Sequence, residues 1–63
     1  MNNPELIADI WILFSEFIDK RNQNEAAKRY VSLLDNRKVR SKTLQIAAES
    51  DVILEQAVQN LLD

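Results

Sequence analysis

Four cations crowd one short stretch, Arg37, Lys38, Arg40 and Lys42, inside a central segment that holds all eight Lys and Arg residues of this 63-residue chain. A positive cluster of this kind can neutralise phosphates or steer an acidic partner into place. Both flanking segments are purely acidic, with Glu5, Asp9, Glu16 and Asp19 before it and Glu49, Asp51, Glu55 and Asp63 after it. With a net charge of −2, the molecule has a strong local field and a weak global one. Carboxylates one helical turn apart, such as Glu5 and Asp9, can share a hard cation. A stable site needs more oxygen ligands and usually a shaped loop, so a solvated outer face is the simpler reading of the stripe.

The other reactive side chains point away from catalysis. Ser15, Ser32, Ser41 and Ser50 have no His to activate them, because the chain contains none, and a Lys base needs a desolvated site. Paired acids for glycoside chemistry need a cleft that so small a protein does not readily form. Cys and His are both absent, which removes disulfides and almost every zinc site. Gly is absent too, which excludes the phosphate-cradling fingerprints of P-loop and Rossmann proteins. The expectation is a non-enzyme with no catalytic residue, no cofactor and no metal.

The punctuation that must position these residues is helical. Asn3-Pro4 reads as an N-cap followed by Pro in the first turn, with Glu5 near the positive pole of the helix. At ~100° per residue, Leu6, Ile7, Ile10, Trp11, Leu13, Phe14, Phe17 and Ile18 share one apolar arc of roughly 160°. A first helix over about 4–21 follows. Asn22-Gln23-Asn24-Glu25 resembles a capping box and sets a second helix at about 24–35, with Ala26, Ala27, Tyr30, Val31, Leu33 and Leu34 inward. Asn36 is suited to the left-handed residue that ends it. A loop anchored by Val39 then leads through Ser41, an expected N-cap, to a short third helix at about 42–49. Ser50-Asp51 opens a fourth at about 51–62, unless the last two are one kinked helix. The expected fold is all-α, a compact three- to four-helix bundle forming a single domain over residues 1–63.

Two functional readings remain. The apolar arc of the first helix is wider than one small layer can cover, and Ile12 sits within its acidic stripe. Trp11, Ile12, Phe14, Phe17 and Tyr30 are therefore the expected partner-binding residues, with Arg37, Lys38, Arg40 and Lys42 as steering charges. The partner is a protein, either another copy in a homo-oligomer or a different one. The alternative is a nucleic-acid binder. Residues 33–47, LLDNRKVRSKTLQIA, resemble the turn and recognition helix of a helix-turn-helix, with Thr43-Leu44 at the start of the reading helix. Lys38 stands where such turns carry Gly, and Glu49 points the wrong charge toward phosphate. A pI near 5.0 is far below the basic range of dedicated nucleic-acid binders.

The order of PELIADIWILFSEFIDKR, AAKRYVSLLDNRKV, SKTLQIAA and ILEQAVQNLLD resembles small all-helical proteins carried by T4-like phages of marine cyanobacteria. The likeness covers most of the chain and rests on helix-packing patterns. It implies a short accessory protein acting in the host cytoplasm, and no particular chemistry. The basic run Arg37-Lys38-Val39-Arg40 departs from the family's turn, which contains Gly. The longest apolar run, Ile10 to Phe14, is far short of the ~20 residues of a membrane span. Acidic Glu5 and Asp9 occupy the region where a signal peptide needs a basic start. The expected location is cytoplasmic, with no membrane contact.

Overall fold

In the computed structural model, residues 3–62 are described; Met1, Asn2 and Asp63 lie outside them, and with Asp63 one of the acids of the last segment. Four α-helices follow one another: α1 (Pro4–Ser15), α2 (Lys20–Asn36), α3 (Ser41–Ala47) and α4 (Val52–Leu62), with a 3-10 turn over Ala48–Ser50. Helix α1 begins as the sequence predicts. The Asn3 side chain accepts a hydrogen bond from the Leu6 amide at 3.1 Å, and Pro4 fills the first turn.

Helix α1 ends at Ser15 and not near Arg21, which corrects the first boundary. Ser15 Oγ donates to the Ile12 carbonyl at 2.8 Å, a local bond that competes with the helical ladder. The chain tightens through Phe17 N–H to Phe14 O and Ile18 N–H to Ser15 O. Gln23 Nε2 then donates to the Ser15 and Ile18 carbonyls, supplying partners to groups that the end of a helix leaves bare. Asp19 caps α2, its carboxylate accepting from the Arg21 amide at 3.3 Å. Asn22, Gln23 and Asn24, expected to break the chain, are ordinary residues of the first turns of α2.

The far end of α2 is a Schellman motif. Val39 N–H bonds Leu34 O and Lys38 N–H bonds Asp35 O, both at 3.0 Å. The left-handed residue is Lys38, with φ 67°, and not Asn36, which stays helical. Such a φ costs a residue with a Cβ about 1–2 kcal/mol. It is held by the two carbonyl bonds and by burial of Val39 against Leu34. Ser41 is the first helical residue of α3 rather than its cap; Arg40 holds the cap position, with no side-chain bond.

Helices α3 and α4 are separate. Asp51 is extended (φ −155°, ψ 132°) and its Oδ2 accepts from the Leu54 amide at 3.2 Å. That oxygen also receives the indole Nε1–H of Trp11, tying α1 to the start of α4. The core gathers Ile7, Ala8 and Trp11 from α1, Ala27, Val31 and Leu34 from α2, Thr43, Leu44 and Ala47 from α3, and Leu54, Ala57 and Val58 from α4. Helix α4 packs chiefly along α2, and α1 lies against α3. No buried side-chain N or O atom lacks a partner among the described residues.

Removing the Asp51 carboxylate leaves a buried indole N–H bare and uncaps α4. Asp51→Ala should lower stability by about 2–4 kcal/mol, a large share of what a chain this short commands. Urea unfolding followed by circular dichroism checks this, and a loss below about 0.5 kcal/mol would show the tie to be dispensable.

Candidate partner-binding groove

The rotation of α1 decides which apolar side chains reach solvent. With Ile7, Ala8 and Trp11 turned inward, one flank of the helix is left open. Leu13 is 53% exposed, Phe14 57% and Leu6 43%. Phe17 is 80% exposed in the turn after α1.

That open flank faces α2 across a trough made of two adjoining hollows. One, of about 190 Å³, is lined by Ile10, Trp11, Phe14, Ile18, Ala26 and Tyr30. The other, of about 310 Å³, is lined by Ile7, Ile10, Tyr30, Leu33, Leu34, Arg37 and Val39. Ile10 and Tyr30 belong to both, so the trough is continuous. Its residues pair Ile18 with Ala26 at one end and Ile7 with Leu34 and Val39 at the other, so α1 and α2 run antiparallel along it. Tyr30 forms the saddle. Its hydroxyl donates to the Ile7 carbonyl at 2.8 Å, and its ring stacks on Trp11 with centroids 6.0 Å apart and 21° between planes.

The rims of the trough carry opposite charges. At ~100° per residue, Asp9 follows Leu6 and Leu13 around α1, while Arg29 and Arg37 border Leu33 on α2. All three charged side chains are exposed. Among the described residues Arg29 is engaged only with Glu25 one turn away, at 3.4 Å and in the open, a contact worth a few tenths of a kcal/mol.

The residues expected to bind a partner are thus divided by the structure. Phe14 and Tyr30 meet in the trough. Trp11 contributes part of its floor but is only 3% exposed, so it is a core residue and not a protruding anchor. Ile12 surfaces on the opposite flank of α1, beside Glu5 and Glu16, and is not brought to the trough. The sequence pattern missed Leu33, placed inward but 52% exposed, and Arg29. The signal that could have found them is their place on the wheel of α2, with Leu33 at the edge of the apolar arc and Arg29 next to it.

Arg37, Lys38, Arg40 and Lys42 are all exposed around the Schellman turn. Helix α3, which follows them, is only 7 residues long, and Thr43 and Leu44, expected to open a reading helix, are buried. Among the described residues no group of three or more acids, or of other metal-binding side chains, gathers. No helix there is long and apolar enough to cross a membrane. A further hollow of about 310 Å³ between α3 and α4 is lined by Gln45, Glu55 and Gln59 with Ala48, Val58 and Leu62 and carries no constellation for catalysis. Compared with family models, with curated proteins and with solved structures, the chain matches none.

Burial raises the Tyr30 phenol above its ordinary pKa of 10.0. The unfolded phenol therefore loses its proton first as pH climbs past 10. Stability tied to the neutral phenol is complete below that pH and is lost as pH rises through the higher folded value. Tyr30→Phe should cost about 0.5–1.5 kcal/mol at neutral pH through the missing bond to Ile7, and should flatten the stability profile above pH 10. Urea midpoints measured from pH 7 to 11 test both, and a profile unchanged by the substitution would assign the alkaline loss elsewhere.

Proposed function

We propose that this protein is a small, non-catalytic protein–protein interaction module whose docking surface is the α1–α2 trough. The observation that carries the reading is the exposed flank of α1, Leu6, Leu13 and Phe14, running into a trough floored by Ile10 and Tyr30. A monomer of this size gains nothing from keeping such side chains in water. Burying each large one against a partner is worth ~1.5–3 kcal/mol, and aromatic and aliphatic anchors in pockets dominate interface energy. The charged rims supply register and encounter rate.

Capture by an immobilised chain from bacterial lysate supplemented with untagged copies of the chain tests the reading. Phe14→Ser combined with Leu13→Ser should reduce the bound protein at least tenfold, while Ile12→Ser on the other flank should not. Equal capture by all three baits would remove the trough as the docking surface.

A second reading has one specific observation in its favour. Lys38 takes the left-handed conformation that Gly supplies in helix-turn-helix turns, with Val39 buried beneath it and three further cations, Arg37, Arg40 and Lys42, exposed around it. The short α3 weighs against it. A helix of 7 residues is only about 10 Å long at ~1.5 Å per residue, and its exposed side ends beside Glu49. The interaction reading expects no retarded band with duplex DNA at physiological salt. A shift that weakens steeply with salt and disappears when Arg37, Lys38, Arg40 and Lys42 are neutralised would put the nucleic-acid reading first.

A further inference from the structure

Resting on the interaction reading above, we infer that the occupant of the trough is a second copy of this chain, docked about a twofold axis that runs along the trough. The inference comes from the rims. One edge, on α1, carries Asp9; the other, on α2, carries Arg37, which lines the trough, and Arg29 beside Leu33. A twofold axis lying in the contact plane, parallel to the helices, turns one copy over so that its acidic edge lies against the basic edge of the other. Each contact then occurs twice, as closed symmetry requires of an isologous interface.

The level along the axis is right as well. Ile10, one residue from Asp9, shares a hollow with Tyr30, Leu33 and Arg37. A rotation about an axis along the trough preserves height, so Asp9 of one copy comes between the levels of Arg29 and Arg37 of the other, within reach of both long side chains. Phe14 and Leu13 of the two copies meet over the floor between them. An axis across the trough would instead set acid against acid and base against base, which like-charge repulsion disfavours.

Size sets the strength. The molecule measures only 28 × 23 × 19 Å, so a contact confined to one of its faces lies at or below the lower edge of specific interfaces, about 1,200 Å² per pair. Association at that edge is reversible and concentration-dependent.

Sedimentation equilibrium of the full chain, from about 5 to 500 µM, reads the outcome. The average mass should rise from 7.3 kDa toward twice that value. Asp9→Arg alone, and Arg29→Glu with Arg37→Glu, should each weaken association at least tenfold, because each sets like charges against one another in both symmetric contacts. An equimolar mixture of the two variants should regain the wild-type association, since every rim contact between them is again between opposite charges. All three positions are exposed, so helical circular dichroism should be unchanged in both variants. Variants that associate like wild type, or a mixture that stays monomeric, would overturn the twofold arrangement. A wild-type chain that remains monomeric throughout overturns the second copy as occupant. If Phe14-dependent capture from lysate persists in that case, the interaction reading stands; if it is lost too, both readings fall.

Discussion

One hydrogen bond sets how this chain divides its apolar surface. The indole of Trp11 donates to Asp51 Oδ2, the same oxygen that caps the first turn of α4. Trp11 is the largest side chain of α1, and fixing its N–H fixes the rotation of the helix about its own axis. Ile7 and Ala8 then have to point inward with it, against α3 and the start of α4. Leu6, Leu13 and Phe14 have to point out. A rotation that buried Phe14 would pull the indole from its acceptor and leave a polar group bare inside the protein, at a cost of about 1–3 kcal/mol. A buried polar contact of this kind sets orientation more than it adds net stability.

The remaining helices cannot close over the open flank. Helix α2 is committed to α4, against which it packs through Ala27 and Val31. The small residues Ala27, Ala47, Ala48 and Ala57 let α2, α3 and α4 approach closely. They also bring little bulk, so nothing extends from them toward α1. Among the described residues, the side-chain hydrogen bonds across the α1–α2 gap come from Tyr30, to the Ile7 carbonyl, and from Gln23, to the carbonyls of Ser15 and of Ile18 in the turn after α1. Two side chains span the trough without filling it. Close packing on one side of α2 and openness on the other follow from the same shortage of chain.

The all-helical fold and the start of α1 were legible in the sequence because they rest on local rules: amphipathic period, an Asn-Pro start, and no Gly for hairpins or sheets. The Val39 anchor was legible for the same reason, whereas the pattern at Ser50-Asp51 allowed either a cap or one kinked helix, and the extended Asp51 decides between them. The end of α1 was not. It depends on Gln23 reaching back across the turn and on Asp19 serving α2 as a cap, whereas the pattern assigned Asp19 to the acidic stripe of a longer helix. Leu33 lies at the edge of the apolar arc of α2, where the pattern alone does not say whether a neighbour covers it. The width of the apolar arc on the first helix was visible in the sequence. Which part of it the chain covers was not, because that is set by the pairing of Trp11 with Asp51, 40 residues apart.

The sorting of charge along the chain has its own consequence in three dimensions. Among the described residues the ion pairs are local, Arg21 with Asp19 and Arg29 with Glu25, and both are exposed. Neither joins the acidic helix to the basic one. Part of the basic cluster has a role inside the fold, since Arg37 and Lys38 stand at the negative pole of α2, a placement worth about 0.3–1 kcal/mol. That role does not extend to Arg29 in the middle of the helix, nor to Asp9 on α1. Across the width of the trough, exposed charges attract only weakly through water. Drawn together over a desolvated apolar floor they gain both proximity and a lower local dielectric. In the proposed twofold arrangement, opposite charges kept on separate helices, with exposed Leu and Phe between them, are the ones brought together.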